Sequence, residues 1–123
     1  MNLTTLESWL DRYGRAWETR NPEAAGALFT ENASYHETPF DEPMRGRSAI
    51  VAYWSHVPRT QDNIHFSYDI ITLTDNMAIA HWTSSFIRIP SNAKVGLDGI
   101  FVLAFDEQNL CTSLREWWMR QEN

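Results

Sequence analysis

Glu116 stands between Leu114 and Trp118 on one face of the run Cys111 to Arg120, with Arg115, Trp117 and Met119 on the other. A carboxylate on a strand face that should look inward needs a reason. Glu37 shares a second strand face with Ala33 and Tyr35, Tyr13 lies on the apolar side of a helical repeat, and His81 sits beside Trp82 in an apolar run. An apolar cavity disfavours the charged form of a carboxyl and moves its pKa toward that of a useful general base. An imidazole close by can pair with such a group or act as the acid of a proton shuttle. Each residue has a structural reading as well. Tyr13 is then a core tyrosine, Glu37 a solvent-rim carboxylate beside Asp41 and Glu42, His81 a satisfied core histidine, and Glu116 an ion-pair partner of Arg88 or Arg115.

These residues must be positioned by helices first and strands afterwards. Leu3, Leu6, Leu10, Tyr13 and Trp17 recur at helical spacing, and Thr4 to Glu7 reads as a capping box that starts this helix. Asn21 and Pro22 stop it and open a short second helix whose buried side is Ala24, Ala25, Leu28 and Phe29. A short strand spans Ala33 to Thr38, a third helix spans Ser48 to Trp54, and Val57 to Asn63 reads as loop. Long strands follow from Ile64 to Thr74, Met77 to Ile89 and Val95 to Phe105. They turn at Asp75-Asn76 and Pro90-Ser91-Asn92, and a last hairpin turns at Glu107-Gln108-Asn109. Helices followed by an antiparallel meander predict an α+β fold in one domain spanning residues 1–123.

Bulk properties narrow the function classes. A formal net charge of −6 without a basic stripe argues against nucleic-acid binding. Six Trp, six Phe and four Tyr are many for 123 residues, and aromatics in such number build cores and line apolar pockets. The single Cys111 excludes an internal disulfide framework and reads as a small core residue. With no signal-peptide pattern and no apolar run near the length of a membrane span, the expected setting is cytoplasmic, with no membrane partner. His36, Glu37, His56, His65 and His81 show no ligand spacing, so neither metal nor cofactor is expected.

Arg12-Tyr13, Ala27-Leu28-Phe29 with Glu31-Asn32-Ala33, and Gly46-Arg47-Ser48-Ala49-Ile50 together resemble the nuclear transport factor 2-like superfamily. The SnoaL-like polyketide cyclases and ketosteroid isomerases are the branch most similar in pattern, and Phe105-Asp106 with Leu114-Arg115 fits them too. The resemblance implies a cone-shaped, barrel-like fold in which a strongly bent antiparallel sheet wraps three N-terminal helices around a pocket. Aligned on ketosteroid isomerase through Phe29 and Phe105, Tyr13 falls on the phenol that donates to the developing oxyanion. Glu37 falls on the carboxylate that moves the proton. The second oxyanion donor, a protonated aspartic acid in that family, falls on Phe101, with Asp98 nearby on the opposite face.

If the same faces point inward, the catalytic candidates are Tyr13, Glu37, His81 and Glu116. The substrate-binding wall is then Trp17, Tyr35, Tyr53, Trp54, Phe66, Tyr68, Thr83, Phe101, Leu103 and Trp118, with Ser85 beside them. The implied ligand is a small hydrophobic carbonyl compound undergoing isomerisation, cyclisation or dehydration. A non-catalytic binding or association domain of the same fold is the alternative. Trp82, Phe86 and Trp117 are expected on the outer sheet face, where an apolar surface of that size predicts a homodimer.

Overall fold

The computed structural model describes all residues from Met1 to Asn123. Helices α1 (Leu3–Glu18) and α2 (Pro22–Gly26) lead into strands β1 (Phe29–His36) and β2 (Met44–Arg45). Helices α3 (Arg47–Trp54) and α4 (Val57–Thr60) follow, then β3 (Gln61–Leu73), β4 (Met77–Arg88), β5 (Lys94–Phe105) and β6 (Cys111–Glu122). The strands form one six-stranded sheet in the order β2-β1-β6-β5-β4-β3, open at β2 and β3. Strands β3 to β6 form the expected antiparallel meander, but β1 lies parallel to β6, so the sheet is mixed. A parallel pair needs a long connection, and here the chain from β2 to β5 supplies it.

Local chemistry sets most of the boundaries. The N-cap of α1 is Asn2 rather than Thr4: its Oδ1 accepts from the Thr5 backbone N–H and from the Thr5 hydroxyl, each at 2.8 Å. Asn21 caps α2 as expected, accepting from the Ala24 N–H at 3.1 Å, with Pro22 in the first turn. Residues read as loop after Val57 instead make the single-turn α4. Strand β1 starts at Phe29, earlier than expected, because Phe29 pairs with Cys111 at the start of β6.

The core lies between α1 and the concave face of the sheet. Trp9 stacks on Tyr13 with ring centres 5.5 Å apart and meets the rings of Phe29 and Phe105 edge-on. Its indole N–H donates to the Leu28 carbonyl at 3.0 Å, so the buried ring carries no unmet donor. Gly14 lets α1 approach β3, since a Cβ there would fall 2.6 Å from the Phe66 ring.

Strand β4 turns the opposite way to the sequence-based expectation. Ala78, Ala80, Trp82, Ser84 and Phe86 are buried, while His81, Thr83 and Ser85 face outward. Directly opposed residues of an antiparallel pair share a face, and β5 sets Gly99 opposite Trp82, Phe101 opposite Ala80 and Leu103 opposite Ala78. The indole fills the space that Gly99 leaves: a Cβ on Gly99 would come within 2.8 Å of the Trp82 ring. Burying an indole yields far more than burying an imidazole, which instead finds partners outside. There His81 Nε2 lies 2.8 Å from Asp98 Oδ1, and Nδ1 lies 3.9 Å from Asp69. Thr83 meets Ser67 hydroxyl to hydroxyl at 2.7 Å on the same outer face. Trp82 and Phe86 are therefore not part of an outer apolar surface. Its exposed members are Ile71, Met77, Trp117 and Met119.

Candidate functional site

The strand register brings the two carboxylates together. In the parallel ladder Tyr35 pairs with Leu114 and His36 with Arg115, so the next residues along each strand are Glu37 and Glu116. Both line a cavity of about 140 Å³ between the helices and the concave sheet face. Helix α1 contributes Tyr13 and Trp17, β1 contributes Tyr35, and α3 contributes Tyr53 and Trp54. Trp118 completes the wall, its indole N–H donating to the Glu37 carbonyl at 3.0 Å and fixing the end of β1.

At the inner end the Tyr13 and Tyr35 hydroxyls are 2.8 Å apart and fully buried. Glu116 is 6% exposed. Burial pushes its carboxyl well above the usual range, the charge of Glu37 adds to this, and the Tyr35 hydroxyl partly offsets it. The phenols of Tyr13 and Tyr35 rise for the same first reason, burial, followed by the charge of Glu116. Tyr53 rises through burial and then through Glu37. All three phenols therefore remain hydrogen-bond donors at neutral pH. Trp17 donates its indole N–H to Gln61 Oε1 at 2.7 Å, whereas the buried indole N–H groups of Trp54 and Trp82 have no acceptor in the protein.

Eight of the sequence-selected residues line the cavity together: Tyr13, Trp17, Tyr35, Glu37, Tyr53, Trp54, Glu116 and Trp118. Six do not. His81 and Thr83 lie on the outer face. Tyr68 reaches across the surface seam to α1, where its hydroxyl donates to Asp11 at 2.8 Å, too far out along β3 to face the cavity. Phe66, Phe101 and Leu103 form packing behind the wall. Phe101 lies with its ring centre 5.2 Å from those of both Tyr13 and Trp82, in a core that leaves it 0% exposed. The sequence reading missed His56, Val57 and Gln61 around α4, and Trp82, Phe86, Arg88, Leu97 and Arg120 on the sheet. The alternation Ala78, Ala80, Trp82, Ser84, Phe86, Arg88 was the available signal for β4. Its weakness is that Ile79 and Ile87 make the other face apolar too.

Comparison with known proteins agrees with this fold. The family described as SnoaL-like domain matches residues 10–113. No curated protein matches the chain. Among solved structures, SalBIII, an epoxide hydrolase/cyclase-like enzyme with a role in pyran ring formation in the polyether salinomycin, superposes with a TM-score of 0.81 at 17% identity. The match covers 94% of this chain and 92% of that one. A protein of ketosteroid isomerase-like fold from Catenulispora acidiphila, solved in complex with trimethylamine, gives 0.78 at 16% identity, covering 89% and 83%. A computationally designed 17-OHP binder gives 0.78 at 13% identity, covering 95% and 97%. At such identities the likeness concerns fold, and catalysts and binders both occur on it.

Proposed function

The chain belongs to the SnoaL-like domain family, and on that premise we propose that it catalyses proton transfer on a small carbonyl compound. The observation that carries this reading is the meeting of Glu37 and Glu116 in one aromatic cavity with the Tyr13–Tyr35 hydroxyl pair. Two carboxyls lining one cavity can divide the acid and base roles between them. Burial selects Glu116 as the protonated member. Glu37 is then the base that removes a proton from the carbon next to the carbonyl, and Tyr13 donates to the oxygen as charge develops there. Glu116 is the direct cross-strand partner of Phe101. It supplies, from the neighbouring strand, the protonated carboxyl that the resemblance to ketosteroid isomerase assigns to the Phe101 position. His81, on the outer face, has no part in this chemistry.

The volume narrows the substrate. A cavity near 150 Å³ accommodates a benzene-sized molecule. The present one, about 140 Å³, suits one ring or a short chain rather than a polycyclic compound. Double-bond isomerisation, aldol cyclisation and dehydration of a β-hydroxy carbonyl compound share this proton removal. The test is deuterium exchange next to the carbonyl of a cyclohexanone-sized ketone in D2O, followed by proton NMR. Loss of the base should slow exchange by roughly 10²–10⁴-fold in Glu37→Gln. An unchanged rate would end the mechanism. Sequestration without catalysis is favoured by one observation, the apolar Phe101 beneath Tyr13. Binding of the ketone without any exchange would select it.

For assembly, the reading keeps a homodimer but narrows its surface, without Trp82 and Phe86, to Trp117 and Met119, which are 45% and 78% exposed. Sedimentation of Met119→Glu against wild type tests it, and a wild-type monomer at micromolar concentration would exclude it.

A further inference from the structure

The inward face of β6 changes character along its length. Leu114 is buried in the core, Glu116 and Trp118 line the cavity, and Arg120 and Glu122 stand at its outer end. Strand β4 follows the same gradient through Phe86 to Arg88. Arg88 donates through Nε and Nη2 to the two carboxylate oxygens of Glu122, each at 3.0 Å, and its guanidinium lies 5.7 Å from the centre of the Phe86 ring. Arg120 approaches the same carboxylate only at 3.8 Å and is 55% exposed. That is beyond hydrogen-bonding distance, so its planar fork of donors remains available. Two guanidinium groups at the cavity edge thus share one carboxylate, leaving a positive excess in a chain whose formal net charge is −6.

We propose that the substrate is a carbonyl compound bearing a carboxylate, held at the cavity mouth by Arg120 with Arg88 beside it. This deepens, and rests on, the proton-transfer reading of the same cavity. A carboxylate has no place deeper inside, where it would lose its water among aromatic walls and face the Glu37 charge. At the mouth it meets a guanidinium whose geometry suits two parallel hydrogen bonds. The charge gradient also orients the ligand, directing its neutral carbonyl end toward Tyr13 and Glu116. Glu116 and Arg120 are four residues apart on one strand, about 13 Å between Cα atoms. Trp118 lies between them on the same face, so a single ring held against its indole stands between the two groups. Glu122 occupies the fork of Arg88 and competes with the substrate for it.

The test compares 4-oxocyclohexanecarboxylate with its primary amide, 4-oxocyclohexanecarboxamide, by calorimetric titration at low salt. The acid should bind wild type about tenfold more tightly than the amide. Arg120→Gln should reduce that preference to less than about twofold by weakening the acid more than the amide, and Arg120→Lys should keep part of it. Glu122→Gln, which frees Arg88, should tighten the acid and not the amide, an effect that a purely structural Glu122 would not produce. Equal binding of acid and amide by wild type, a preference that survives Arg120→Gln, or no binding of either compound overturns the proposal. Amide deuteration by wild type, lost in Glu37→Gln, is measured in parallel. If it persists while the acid shows no advantage, the anion assignment alone has failed. If neither compound is deuterated, the proton-transfer reading has failed with it.

Discussion

Replacing Glu116 with glutamine should abolish a pH dependence of stability whose sign the site dictates. An unfolded glutamate titrates near pH 4.3. In the folded chain burial, assisted by the charge of Glu37, moves the Glu116 carboxyl well above its usual range. Between the two values the folded state therefore holds a proton that the unfolded state has released. Stability must then fall as pH rises through that window, by up to about 1.4 kcal/mol per pH unit for one proton. The contribution is intact below the unfolded value and gone once pH has passed the folded one. At 6% exposure Glu116 needs little discount for solvent screening. Glutamine has the same shape and no titration, and its own burial cost is a constant offset. The assay is urea unfolding of wild type and Glu116→Gln at several pH values from 4 upward. The stability of the variant relative to wild type should climb with pH inside the window and then level off. Each unit of pH corresponds to roughly 5 °C in Tm for a chain of this size. Glu37→Gln should narrow the window by removing the second cause of the shift. A difference that stays flat across pH, or shrinks as pH rises, would refute the protonated-carboxyl reasoning.

Tyr13→Phe should slow ketone deuteration by about 10²-fold through loss of an oxyanion donor, and unfolding should register about 0.5–1.5 kcal/mol for the lost Tyr13–Tyr35 hydrogen bond; an unaltered exchange rate would remove Tyr13 from the chemistry. Gly99→Ala places a Cβ against the Trp82 ring and the Trp117 carbonyl. It should cost about 1–3 kcal/mol in thermal unfolding, whereas an unshifted Tm would mean that β4 and β5 are less tightly apposed than described. His81→Gln should leave deuteration within about twofold and change stability by less than about 1 kcal/mol, as exposed ion pairs do. A tenfold loss of rate would return His81 to the mechanism.

The grouping of Leu114, Glu116 and Trp118 was legible because residues two apart on a strand share a face. The helix stop at Asn21-Pro22 and the turns at Asp75-Asn76 and Glu107-Gln108-Asn109 were legible because those residue types act locally. Strand β4 was not: its apolar residues occupy both faces, and the choice between Trp82 and His81 rested on the vacancy at Gly99, which lies on another strand. The same error hid Phe86 and Arg88 from the cavity and placed His81 and Thr83 within it. Arg120 continues the face of Glu116 and Trp118 but was missed because a charged residue near the end of a strand reads as a solvated one.

The amino-acid order alone thus determined the first three helices and the long strands, the inward course of β6 and the collection of Tyr13, Glu37 and Glu116 as reactive candidates, because each depends on periodicity or capping within a few residues. Only the tertiary structure decided that β1 runs parallel to β6 and so sets Glu37 beside Glu116. The face that β4 presents to the core was likewise decided there, as was the placing of Arg88 and Arg120 at a single mouth. Those outcomes depend on pairing between residues tens of positions apart. There the best-packed arrangement of large side chains prevails over any local preference.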